Sequence, residues 1–150
     1  MLKTRTMTNP QKNIVVFDMG VLFDEGGEVV PDAAAAMRVM YSRFTVIVVS
    51  VNDYFSAATK KLADNQLMCD HIVVRGGTER EEEHKLKAKW MESRKLPVDS
   101  ILVAFEKAKG LACVWERFGV PCVHTPKDHK TASYRPGIFS RICATNFAMG

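Results

Sequence analysis

Five short runs of β-branched and apolar residues, at 13–18, 44–50, 71–75, 101–105 and 120–124, are separated by stretches of helical character. This alternation constrains the chain more than any other feature. Strand, helix and strand in succession build a mainly parallel sheet with helices covering both faces. The run 44–50, FTVIVVS, is the clearest central strand, apolar on both faces as burial between two layers demands. Pro121 in the run 120–124 cannot donate to a ladder, so that run predicts an edge strand. Helix signals fill the gaps. Pro31 opens an alanine-rich segment ending near Tyr41, Asp53 can cap a helix running to about Asp64, and 79–94 places acids before bases, as a helix dipole prefers. A further helix passes through Trp115 and ends at Gly119. Gly20, Gly26 and Gly27 punctuate a loop or small flap behind the first strand.

A chain of 150 residues suits one domain with a full core. The expected organisation is an N-terminal extension at 1–12, an α/β domain at 13–124 and a tail at 125–150. The fold class is a three-layer, Rossmann-like, mainly parallel sheet with a minimal cap. A hydrophobic content of 47% excludes wholesale disorder, and a formal charge of +4 permits an anionic partner without requiring one. No apolar run approaches the length of a membrane span, and the basic stretch 1–12 has no apolar centre of the kind a signal peptide needs. Cys69, Cys113, Cys122 and Cys143 form no CxxC pair and read as free thiols of a reducing compartment. The expectation is a soluble, cytoplasmic protein with no membrane partner.

In such sheets function gathers at the carboxyl ends of the strands, where this sequence offers Asp18, Ser50, Arg75 and Glu106. Other groupings carry less. Cys122, His124, His129 and Cys143 match no common zinc-finger or ribbon spacing. The basic group Lys85, Lys87, Lys89, Arg94 and Lys95 reads as a solvated helix face, and Trp90 and Trp115 read as core. In the tail, Lys127, Lys130, Arg135 and Arg141 interleave with Tyr134, Phe139 and Phe147, a mixture that packs on the domain or contacts phosphates and bases. Gly76 and Gly77 belong to no phosphate-binding loop of the GxxxxGK[ST] type.

The segment 15–24, VVFDMGVLFD, resembles the first motif of haloacid-dehalogenase-like phosphatases, a hydrophobic strand followed by D-x-D-G-[TV]-L. The end of the second run, Val48, Val49 and Ser50, is similar to their second motif. The likeness is strongest to the phosphatase domain of bacteriophage polynucleotide kinases, which suggests a viral origin and a host cytoplasm. It extends over about 13–124. It implies that Asp18 is the nucleophile and a magnesium ligand, Ser50 a phosphate-binding hydroxyl, Lys85 the third-motif lysine with Glu81 orienting it, and Glu106 a metal ligand of the fourth motif. In that chemistry the first Asp forms an aspartyl-phosphate, and a second, two residues on, protonates the leaving oxygen and later activates water.

This sequence departs from that pattern at three positions. Gly20 stands where the second Asp belongs, leaving Asp24 as a substitute only if the flap folds over. Asn52 replaces an arginine that would clamp phosphate, and Lys107 replaces a second metal-binding acid. Asn52 and Lys107 then become phosphate-binding candidates, with Mg²⁺ weak or lost. The expected function is a phosphatase-like domain with weak or no turnover that binds a phosphorylated small molecule, a nucleic-acid end or a protein partner. The alternatives are an active Mg²⁺-dependent phosphohydrolase, such as a polynucleotide 3′-phosphatase, and a viral protein-interaction module.

Overall fold

The computed structural model describes residues 12–125, so the tail cluster, His129, Cys143 and most of the N-terminal extension lie outside the described residues. The β-branched runs form five strands: β1 (Ile14–Asp18), β2 (Thr45–Ser50), β3 (His71–Val74), β4 (Ile101–Glu106) and β5 (Cys122–His124). All pair in parallel, in the order β3-β2-β1-β4-β5. Between them lie α1 (Met19–Leu22), α2 (Pro31–Tyr41), α3 (Phe55–Asp64), α4 (Glu83–Glu92) and α5 (Lys109–Arg117). None of these helices is long and apolar enough to cross a membrane.

Strand periodicity splits the core into two layers. Val15, Phe17, Val46, Val48 and Phe105 face one way and pack with Leu22, Met37, Met40, Ala58 and Leu62 of the first three helices. Ile14, Val16, Ile47, Val49 and Ala104 face the other way, against Leu86, Trp90 and Met91 of α4 and Val114 and Trp115 of α5. The result is the expected three-layer, Rossmann-like α/β fold. Connection order accounts for it: the chain steps outward from β1 to β3 with helices on one face, then returns past β1 to β4 and β5 with helices on the other. The reversal falls between β1 and β4, where open parallel sheets part at their carboxyl ends to leave a crevice.

Two expected boundaries move. The helix predicted at 79–94 begins only at Glu83, because the Arg75 guanidinium takes the Glu81 carbonyl at 2.8 Å and the Glu79 carbonyl at 3.3 Å. Those carbonyls are then drawn out of any helical ladder. Asp53 does not cap α3: the N-cap is Tyr54, with no side-chain bond, and Asp53 turns instead to Ser50. The flap expected around Gly26 is a small antiparallel excursion, closed by a bridge between Phe23 and Val29 and turned at Gly27, whose φ of 85° favours glycine.

Met37 is fully buried against the sheet whereas Val39, two residues on, faces solvent. Met37→Ala should therefore cost about 2–5 kcal/mol through cavity formation, and Val39→Ala within about 0.5 kcal/mol. Urea denaturation of both variants checks this; equal losses would contradict the layer assignment.

Candidate functional site

Register sets the site. Asp18 at the end of β1 lies opposite Val49, so Ser50 projects just beyond it, and Glu106 ends the other neighbouring strand, β4. Asp18, Ser50 and Glu106 thus share the carboxyl edge of the sheet, and all three are buried. A cleft of about 550 Å³ opens there, lined among others by Asp18, Gly20, Asp24, Ser50, Asn52 and Lys107.

Each Asp18 oxygen has its own partner. Oδ1 accepts from the Lys87 ammonium at 2.7 Å, and Oδ2 accepts from the Gly20 N–H at 2.8 Å. The Lys107 ammonium stands 4.0 Å from Oδ2. Lys87 is wholly buried and donates also to Glu83, at 2.8 Å, and to Glu106. Burial alone would push the Lys87 pKa down, but Asp18, Glu106 and Glu83 together hold it well above the ordinary lysine value. Glu106 is the converse case. Burial, then the Asp18 charge, raises its carboxyl to about 7 against the pull of Lys87.

Lys85, the lysine expected at the site, is exposed, and the lysine that reaches Asp18 is Lys87. Two residues rotate a helix by about 200°, so the two side chains leave α4 on opposite faces. The orienting acid changes with it. Glu81 pairs with Lys89 at 3.1 Å, while Glu83, one turn before Lys87, holds the buried ammonium. A signal was present in the sequence: Lys87 sits between Leu86 and Trp90 on the apolar stripe of α4, where an unpaired lysine would be costly.

The remaining candidates are placed as follows. Ser50 Oγ donates to Asp53 Oδ2 at 3.0 Å and accepts from the Asp53 N–H at 3.2 Å, so its hydroxyl is oriented by the loop behind it. Asn52 is exposed at the cleft. Asp24 lines the cleft, but its Oδ1 accepts the Glu28 N–H at 2.9 Å and closes the flap turn. Glu106 does not line the cleft; its Oε1 accepts from Lys87 and from the Trp115 indole N–H, 2.8 Å away.

Asp18, Glu83 and Glu106 are the acidic group among the described residues that could share a cation, with one oxygen from each within 4.8 Å of the others. The Lys87 ammonium already stands among them. Mg²⁺ does not fit that arrangement, because it would have to expel a buried ammonium while a second lysine faces Asp18. Burial, with Glu106 and Glu116 nearby, pushes the Cys122 thiol up to about 12.

No family model matches the chain, and no curated protein matches it. Solved structures do. A chain in the Pnkp1/Rnl/Hen1 complex aligns with a TM-score of 0.64 at 15% identity, over 81% of this chain and 47% of that one. A chain in a second structure, of the Pnkp1/Rnl/Hen1 RNA repair complex, aligns with a TM-score of 0.61 at 14% identity, over 83% of this chain and 45% of its own length. The fold is shared. This chain spans less than half of either neighbour.

Removing the Lys87 ammonium strands three carboxylates. Lys87→Met should destabilise by about 3–5 kcal/mol at neutral pH. In the wild type, the folded state holds the Glu106 proton more tightly than the unfolded chain does, between the ordinary 4.5 and about 7. Stability from this group is therefore full below that window and lost as pH rises through it. Glu106→Gln should flatten the slope, as chemical denaturation at several pH values can show; an unchanged slope would remove Glu106 as its source.

Proposed function

We propose that this chain is a phosphatase-like domain of the haloacid-dehalogenase type that binds a phosphate-bearing nucleic-acid end with little or no turnover. The observation that carries this reading is the setting of Asp18. A strand-end carboxylate faces a cleft between two lysines, Lys87 and Lys107, with Gly20 where a general acid is needed. Lys87 holds Asp18 in place, and Ser50, Asn52 and Lys107 supply donors and positive charge for a phosphoryl group.

Binding and turnover make different demands. Donors and charge suffice to bind. Turnover through an aspartyl-phosphate needs an acid to release the alcohol and a base to discharge the intermediate. Gly20 offers neither, and the carboxylate of Asp24 is engaged in the flap turn. Loss of a general acid costs on the order of 10²–10⁴ in rate. Mg²⁺ binds weakly or not at all in this reading, since its carboxylates are shared with Lys87.

Two observations favour a nucleic-acid end over a small phosphate ester. Tyr54 and Phe55 follow the cleft-lining Asn52 and Asp53 and are 75% and 58% exposed, an arrangement suited to stacking a terminal base. The fold is shared with chains of an RNA repair complex, which supports an RNA-related role and assembly with other proteins.

The test compares a 3′-phosphorylated oligonucleotide, its unphosphorylated twin and inorganic phosphate by calorimetry, with a phosphatase assay alongside. The expected result is tighter binding of the phosphorylated end, turnover barely above background, and weakening of oligonucleotide binding but not of phosphate binding by Tyr54→Ala with Phe55→Ala. Turnover of about 1 s⁻¹ or faster, abolished by Asp18→Asn, would favour a working phosphohydrolase with Asp24 as its acid. Binding of neither oligonucleotide nor phosphate would overturn the reading in favour of a protein-interaction role.

A further inference from the structure

Gly20 needs explaining, because nothing in its backbone demands glycine. Among the described residues the glycines with positive φ are Gly27 and Gly119, whereas Gly20 lies in the short helix α1. Glycine is a poor helix former, and in this structure a side chain there would have to displace a neighbour. A Cβ on Gly20 would lie 2.3 Å from Lys107 Cδ, 2.9 Å from Lys107 Nζ and 2.9 Å from Asp18 Oδ2, so the Lys107 side chain would have to move. The stem of Lys107 crosses the space that a side chain at position 20 would fill.

The consequence concerns charge. Lys107 leaves the end of β4 beside Glu106, whose Oε2 accepts the Lys107 N–H at 3.3 Å. Crossing over Gly20 brings its ammonium to the cleft side of Asp18, while Lys87 holds the opposite oxygen from inside the protein. The Lys107 side chain is 26% exposed and lines the cleft, so its ammonium can meet a ligand. An oxyanion approaching Asp18 needs a cation to screen it from that carboxylate, since like charges at contact repel strongly away from bulk water.

We propose that Lys107 is a built-in cation that lets this cleft bind a phosphate monoester without a divalent metal, and that Gly20 is the gap its side chain requires. The two departures at Gly20 and Lys107 are then one compensated arrangement. The inference rests on the phosphate-binding reading and deepens it by naming the cation.

The experiment is a double-mutant cycle on the full chain, read as the affinity for inorganic phosphate and for a phosphorylated oligonucleotide, with excess chelator and again with Mg²⁺. Wild-type protein should bind in chelator. Lys107→Ala should weaken binding about ten- to hundredfold, the worth of one charged hydrogen bond. Gly20→Ala should weaken it comparably by displacing the lysine, and the double variant should be no weaker than Lys107→Ala alone. Rescue of folding of Gly20→Ala by Lys107→Ala would show the same coupling in thermal melts and supports the proposal. Full additivity, an unaffected Gly20→Ala, or failure of both Gly20→Ala and the double variant to fold would overturn the pairing. Binding that requires Mg²⁺ and tightens in Lys107→Ala would overturn it while leaving the phosphate-binding reading standing. Absence of phosphate binding in both conditions would overturn both.

Discussion

One buried ammonium organises the carboxyl edge of this sheet. Lys87 donates to Asp18, Glu83 and Glu106, and so ties β1, α4 and β4 together at the point where the strand order reverses. A carboxylate such as Asp18 cannot be buried without a partner, and a lysine cannot be buried without several. Each group makes the others tolerable. Trp115 adds an indole donor to Glu106, joining α5 to the same network. The cluster joins three acidic groups to one ammonium at the cleft wall, where Asp18 and Glu83 line the cleft, and Lys107 supplies a second positive charge there.

The fold was legible because it depends on patterns that repeat. Each strand shows as a β-branched run, and the edge position of β5 follows from Pro121. Helix ends were less legible where a distant side chain competes for backbone groups: Arg75 removes the carbonyls that would have begun α4 four residues earlier. No local pattern announces that, since it depends on an arginine in the preceding loop. The strand-end residues Asp18, Ser50 and Glu106 were legible for a reason of topology, because a parallel sheet delivers its strand ends to one edge whatever the sequence between them.

The lysine was misplaced for an instructive reason. A motif compared by order tolerates a slip of two residues, but a helix does not: two positions separate a solvent-facing Lys85 from a buried Lys87. Helical phase would have decided it, because Leu86, Lys87, Trp90 and Met91 form a single stripe and only one lysine lies on it. The same phase assigns Glu83 rather than Glu81 as the orienting acid. Glu106 shows a different limit. Its position at a strand end was readable, but its full enclosure by Lys87 and Trp115, and hence its separation from the cleft, depended on packing between α4 and α5.

Electrostatics also separates what the proposed binding role needs from what turnover would need. A phosphoryl-transfer centre needs groups that change protonation on cue and a metal that comes and goes with its ligand sphere. Beside Asp18 this site presents fixed positive charge instead. Lys87 is held cationic by three acids, Lys107 stands on the other side of Asp18, and Gly20 places no acid on the cleft side of that carboxylate. Fixed positive charges favour a bound anion but cannot shuttle protons to a leaving alcohol. Restoring an acid at position 20 would meet the Lys107 stem, and restoring an acid at position 107 would leave Asp18 facing another carboxylate unless a metal returned between them. On the proposed reading, fixed charge of this kind suits holding a phosphate better than cleaving one.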